Sequence, residues 1–148
     1  MLVTGTSRDD ELIGIKAKSQ TLVGFGGRDT LIGGQGNDTL IGGSDGDLLT
    51  GGEGSDRFVY NSFNERTDVI TDFNVNEDSL LLTKLFANLN YKGVNPIADG
   101  YMEFSQQGSS TMVQVDPDGF NSSWPFMTLV VLENVTAGNL EVGSNVII

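Results

Sequence analysis

The chain has 148 residues, 20 acidic and 8 basic side chains, no cysteine, no histidine and a net charge of −12. Those counts exclude disulfide frameworks, thiolate chemistry, zinc fingers and histidine-based metalloprotease helices, and the acidity disfavours nucleic acid and anionic membranes while favouring cations. No stretch approaches the roughly 20 apolar residues of a membrane span, and the N-terminus shows no basic-then-apolar leader.

In chain order, the first elements are two irregular units, GTSRDDELI from Gly5 and GIKAKSQTLV from Gly14, the second one residue longer. Four regular nine-residue units follow from Gly24 to Val59: GFGGRDTLI, GGQGNDTLI, GGSDGDLLT and GGEGSDRFV. Small residues open each regular unit, an Asp stands sixth and an apolar residue eighth. Glycine serves where the backbone takes positive φ or passes close to a ligand, so each opening predicts a turn whose carbonyls can point inward. A three-residue strand centred on the eighth position follows. The column Leu12, Leu22, Leu31, Leu40, Leu49 and Phe58 is the expected core. The ninth position (Ile13, Val23, Ile32, Ile41, Val59) alternates to the outer face, as a β-propensity ladder or as a docking surface for a preceding domain.

This pattern resembles the calcium-binding nonapeptide repeat, G-G-x-G-x-D-x-U-x, of the RTX (repeats-in-toxin) family. The resemblance implies an all-β fold: a parallel β-roll over residues 1–60, two units to a turn, followed by a mostly β cap over 61–148. Loops then stack two units apart. One edge carries the loops of Asp10, Asp29 and Asp47, and the other carries the Asp-less loop followed by Asp38 and Asp56. Stacked carboxylates repel unless a cation lies between them.

In the family's arrangement each calcium takes one Asp and two backbone carbonyls from each of two stacked loops. Carried onto this chain, the implied ligands are Gly24, Gly26 and Asp29; Gly33, Gly34, Gln35, Gly36 and Asp38; Gly42, Gly43, Ser44, Asp45 and Asp47; and Gly51, Gly52, Glu53, Gly54 and Asp56. Asp29/Asp47 and Asp38/Asp56 make two sites and Asp10/Asp29 a third, within a total of about three to five calcium ions. Asp45 replaces a glycine at a turn position, and Asp is among the residues that tolerate the left-handed conformation. The loop without a carboxylate should lack a site; Lys16 or Lys18 could place an ammonium there, or both could simply be solvated.

Beyond Tyr60 the glycine period stops. The segment Asp68-Val-Ile-Thr-Asp72-Phe73 resembles the cap that follows RTX repeats in serralysin-type proteases, which makes Glu65, Asp68 and Asp72 candidates to close a last site against the Asp47 loop. A strand at Ser79–Leu82 precedes a short helix near 83–90. Tyr101–Ser105 and Thr111–Val115 alternate as a hairpin joined by QQGSS, Asp116-Pro-Asp-Gly119 reads as a turn, and Leu129–Leu132 and Asn145–Ile148 read as late strands. Phe120, Trp124 and Phe126 are expected in the cap's own core, with sugar stacking as the alternative. The terminal Asn145-Val-Ile-Ile148 resembles the uncleaved C-terminal signal of type I secretion substrates.

These resemblances imply a secreted or cell-surface bacterial module that folds on meeting extracellular calcium. Its partners would be the type I secretion machinery, through the C-terminus, and a preceding passenger domain. The alternative is an accessory module similar to the R-modules of mannuronan epimerases, binding an anionic polysaccharide with calcium. No enzyme is expected: glycoside hydrolysis would need paired carboxylates in a cleft, and the repeat Asp residues are already assigned to metal.

Overall fold

The computed structural model describes residues 1–15, 17–65, 67–119 and 124–148, and in it the period of nine becomes a coil of period eighteen. Its strands are β1 (Leu2–Thr4), β2 (Glu11–Ile13), β3 (Thr21–Gly26), β4 (Thr30–Gln35), β5 (Thr39–Ser44), β6 (Leu48–Glu53), β7 (Arg57–Val59), β8 (Asp68–Ile70) and β9 (Ser79–Leu81). A short helix α1 (Thr83–Asn88) follows, then β10 (Met102–Gln107), β11 (Ser110–Val115), β12 (Met127–Leu132), a 3-10 turn at Ala137–Asn139 and β13 (Val146–Ile147). Odd and even strands of the coil fall on opposite sheets. One sheet runs β1-β3-β5-β7-β9-β13 and the other β10-β11-β12-β8-β6-β4-β2.

The regular units pair in parallel in a single register, Thr21 beside Thr39, Leu22 beside Leu40, and Thr30 beside Leu48. Strands β3 to β6 are six residues long, twice the expected length, because pairing continues into the glycine opening, where Phe25 meets Gly43 and Gly34 meets Gly52. Gly34, Gly43 and Gly52 take φ of +106°, +114° and +100° at that corner, the left-handed region that a side chain would strain.

The eighth-position column is the core. Leu22, Leu31, Leu40, Leu49 and Phe58 are fully buried, and Ile70 and Leu80 extend it past the repeats. Each such side chain contributes about 1.5–3 kcal/mol as an upper estimate. Leu12 is only half-buried, since β2 ends its sheet and has a neighbour on one side alone. Of the ninth-position residues, Val23, Ile32, Ile41 and Val59 are half-buried by their stacked neighbours and Ile13 is exposed.

Both sheets continue past residue 60, so the coil makes about four turns where the repeats alone would give three. Strand β8 pairs with β6 and β9 pairs with β7, although the glycines are gone. At the far end β13 lies parallel to β9, and β12 lies parallel to β8 and starts the antiparallel pairs with β11 and β10. The helix buries Leu85 and Phe86 and stops at Asn88, short of the expected residue 90. The β10–β11 turn is the tighter Gly108-Ser109, because Gln106 and Gln107 stay in the ladder. Asp116–Gly119 is a turn as expected, with the Asp118 N–H donating to Asp116 Oδ1 at 3.1 Å.

The expected aromatic core of the cap is corrected. Trp124 is 61% exposed and Phe126 half-buried, while Phe120 lies outside the described residues. Met102, Val113, Val115, Leu129, Val130 and Leu132 fill that core instead, since they face inward from β10, β11 and β12. No helix among the described residues is long and apolar enough to cross a membrane.

Candidate metal centre

Each edge of the coil carries a ladder in which one Asp oxygen accepts the backbone N–H of the matching residue one turn earlier. On the first edge Asp10 N–H donates to Asp29 Oδ1 at 2.8 Å, Asp29 to Asp47 at 2.8 Å and Asp47 to Asp68 at 2.9 Å. On the second edge Gln20 donates to Asp38, Asp38 to Asp56 and Asp56 to Asp78, each at 2.8 Å. The period of the sequence thus fixes Oδ1 of Asp29, Asp38, Asp47 and Asp56, and Oδ1 of Asp68 and Asp78 is held in the same way beyond the repeats.

The other oxygen is the chemically open one. Oδ2 of Asp29, Asp38, Asp47 and Asp56 is buried and accepts no hydrogen bond, and Oδ2 of Asp68 is buried with only the Tyr60 hydroxyl beside it. A buried polar atom left unpaired costs free energy comparable to a lost hydrogen bond, and a carboxylate oxygen costs more. In four of these loops Oδ2 lies against the opening glycine: a Cβ on Gly24, Gly33, Gly42 or Gly51 would run into it. On Gly24 and Gly33 it would also run into the carbonyl of Gly42 or Gly51, one turn on. Carboxylate and carbonyl oxygens are therefore crowded together with no donor between them. Among the described residues no three acidic side chains converge, so a metal here must draw on backbone carbonyls as well. An all-oxygen donor set of this kind fits calcium.

The electrostatics agree. Burial, reinforced by neighbouring carboxylates, pushes Asp47 and Asp56 up to about 6 and Asp68 up to about 7, against an ordinary value of 3.8. Asp29, Asp38, Glu65 and Asp78 are raised for the same first reason, the loss of water. A cation between the loops would reverse the effect.

The remaining sequence-predicted residues divide. Asp10 turns Oδ2 to Thr6, accepting its N–H at 2.6 Å and its hydroxyl at 2.8 Å, so it differs from the interior ladder. Asp45 holds φ of +81°, the left-handed turn its glycine neighbours make. Gln35 and Glu53 are exposed and hydrogen-bond each other at 3.0 Å, which leaves only their backbone to a metal; Ser44 is likewise exposed. Gly26, Gly36 and Gly54 line the same corners half-buried.

Asp68 does join the Asp47 loop, and Glu65, near enough to raise Asp47 by repulsion, turns its carboxylate to accept the Asn61 N–H at 2.6 Å. Asp72 does not. It lies on the second edge, where its two oxygens accept the Gly51 and Gly52 N–H groups at 2.9 and 2.8 Å, because the chain after β8 crosses between sheets on that side. With both oxygens hydrogen-bonded, Asp72 caps the end of the glycine corner. Tyr60, fully buried, sets its hydroxyl beside Asp68, and its titration is pushed well above the ordinary range.

Two ladder members escaped the sequence reading. Asp78-Ser-Leu80 repeats the Asp-x-apolar signature of Asp38-Thr-Leu40 without its glycines, and Gln20-Thr-Leu22 repeats it with an amide in place of the acid. Of the two readings for the lysines, Lys18 follows the solvated one and is exposed, Lys16 lies outside the described residues, and Gln20 holds the ladder position.

Residues 23–58 match the model of the RTX calcium-binding nonapeptide repeat in four copies. The AlgE6R3 subunit of the Azotobacter vinelandii mannuronan C5-epimerase is similar at 30% identity and a TM-score of 0.71, covering 97% of this chain and 80% of that one. The AlgE6R2 subunit of the same enzyme is similar at 26% identity and a TM-score of 0.74, covering 99% and 92%. Extracellular lipase LipA from Serratia marcescens shares the fold at 24% identity and a TM-score of 0.67, with 99% of this chain matched to 20% of the lipase. No curated protein sequence matches the chain. Repeat, coil and ladder agree with the likeness to the AlgE6 subunits: this chain belongs to the RTX family of calcium-binding nonapeptide-repeat proteins.

Proposed function

We propose that the chain is a calcium-triggered folding module of a larger exported bacterial protein, and that it works outside the cell. The observation that carries this reading is the set of buried Oδ2 atoms without partners on Asp29, Asp38, Asp47 and Asp56, with that of Asp68 beside only the Tyr60 hydroxyl. Ions held between Asp29 and Asp47, Asp47 and Asp68, and Asp38 and Asp56, with the carbonyls of the opening glycines, would satisfy all five. Bound calcium supplies positive charge and a flexible oxygen-coordination shell. The residues supply the rest: Oδ1 locks each loop to the next, glycine lets carbonyl and carboxylate approach, and the leucine column keeps water from beneath.

Extracellular calcium modules bind at about 10⁻⁴–10⁻³ M. With free calcium about 100-fold above such a constant, each site adds about 2.7 kcal/mol to folding, and at cytosolic calcium the gain vanishes. Strand β13 favours the same order of events. Asn145 and Val146 are buried in the folded chain, so an export machine that recognises this strand would have to do so before folding. Circular dichroism of the metal-stripped chain, followed by millimolar calcium, tests the proposal. A β signal that grows with calcium supports it, and an unchanged signal sinks it.

A second reading rests on a specific feature. A polar groove of about 410 Å³ runs along the second edge, lined by Ser19, Asn37, Thr39, Ser55 and Ser79 with Arg57 and three carboxylates, Asp38, Asp56 and Glu77. Together with the likeness to subunits of a mannuronan epimerase, it favours an accessory site for an anionic polysaccharide, with Arg57 as its cation and bound calcium offsetting the acidic edge. Affinity electrophoresis in alginate with and without calcium separates the two readings: retardation only with calcium supports the groove, and free migration in both removes it.

A further inference from the structure

The head of the second edge is built differently from every loop below it. Gln20 stands in the ladder register of Asp38, Asp56 and Asp78, with its backbone N–H on Asp38 Oδ1. Its side chain is 3% exposed and fully engaged. Nε2 donates to the Ile15 carbonyl at 2.9 Å and to the Lys18 carbonyl at 3.1 Å, while Oε1 accepts the Ile15 N–H at 2.8 Å.

The position of that nitrogen matters. A Cβ on Gly14 would meet Gln20 Nε2 and the Gly33 carbonyl, where one on Gly33 would meet Asp38 Oδ2 and the Gly51 carbonyl. Nε2 thus fills the space that an unpartnered carboxylate oxygen fills in the loop below. It brings two N–H donors to a place where only acceptors gather in the Asp38 and Asp56 loops of the same edge. The extra residue in this unit fits the longer side chain, and Ala17 makes the left-handed turn at φ of +63°.

We propose that the Gln20 carboxamide closes this loop in place of a metal ion, so that the first turn of the second edge is a calcium-free end of the stack. Its two N–H donors do for the Ile15 and Lys18 carbonyls what a cation would do for the carbonyls of the other loops. A neutral amide needs no counter-charge, so the loop carries neither the repulsion nor the calcium requirement of its neighbours. The proposal rests on the calcium reading above for the function of the remaining loops.

The test uses the full chain at saturating calcium, with ions per chain counted by equilibrium dialysis and the Ile15 amide followed by hydrogen exchange. Gln20→Ala should keep the wild-type ion count while the Ile15 amide exchanges about tenfold faster, as expected for a lost buried hydrogen bond. Gln20→Glu, of equal length, replaces the donor by an acceptor and should bind one ion more than wild type. Loss of an ion in Gln20→Ala, an unchanged count in Gln20→Glu, or wild-type exchange at Ile15 in Gln20→Ala would each overturn the assignment. A wild-type chain that binds no calcium would overturn the calcium reading alone, and Ile15 exchange in Gln20→Ala would still decide the role of Gln20.

Discussion

The Asp47 N–H donates to Asp68 Oδ1 at 2.9 Å, which ties the last glycine loop of the first edge to a segment that has no repeat glycine. The other Asp68 oxygen is buried beside the Tyr60 hydroxyl, so one side chain both ends the ladder and can turn an oxygen to a metal. Asp68→Asn keeps an acceptor for Asp47 and loses the anionic oxygen. It is expected to lower the calcium count by one while preserving the fold in excess calcium. Asp68→Ala also strands a buried N–H and should cost a further 1–3 kcal/mol or so in denaturant titration. Equal ion counts for wild type and Asp68→Asn would remove Asp68 from the site.

Stability of the calcium-free chain should fall as pH rises. Asp47 and Asp56 release their protons at about 6 and Asp68 at about 7 in the folded chain, against 3.8 for an ordinary Asp. The folded chain therefore binds more protons across that window, and the stabilisation present below about pH 4 is lost as pH climbs through about 7. Thermal unfolding of metal-stripped protein should give a higher midpoint at about pH 5 than at about pH 8, and saturating calcium should invert the order because ions compete with protons. A flat or rising midpoint without calcium would contradict the raised carboxylates.

The core column makes a prediction independent of metal. Leu40 is fully buried between Leu22 and Phe58, its ladder neighbours. Leu40→Ala should cost about 2–5 kcal/mol even in saturating calcium, since the stacked strands cannot close over the cavity. Urea unfolding with calcium present measures it, and a loss below about 1 kcal/mol would mean that the ions rather than the leucines set the spacing.

Phe25 occupies the corner position where Gly34, Gly43 and Gly52 stand in the next loops, and it holds φ of +80° with 55% of its surface exposed. A left-handed residue bearing a Cβ is strained by about 1–2 kcal/mol. Phe25→Gly relieves that strain and gives up little burial, so the unfolding midpoint should rise by the equivalent of about 1 kcal/mol after the entropy of glycine is subtracted. A lowered midpoint would show that the ring makes a stabilising contact.

By itself the sequence determined the coil, its core column and the paired acidic edges. A period of nine with glycine at the corners leaves the backbone few alternatives, and each of those features repeats within a stretch that any one unit displays. Which residues end the ladders was settled only by tertiary structure. Inside the repeats, stacked partners lie 18 residues apart; Asp47 reaches its partner Asp68 across 21 residues and Asp56 reaches Asp78 across 22. Once the spacing breaks, an acidic residue joins whichever edge the long-range strand pairing carries it to. That pairing put Asp72 on the edge opposite the expected one and brought Asp78 into line. Gln20 followed the same logic, because whether a side chain binds a metal or replaces one depends on which carbonyls its loop sets around it, and that is decided by the stack.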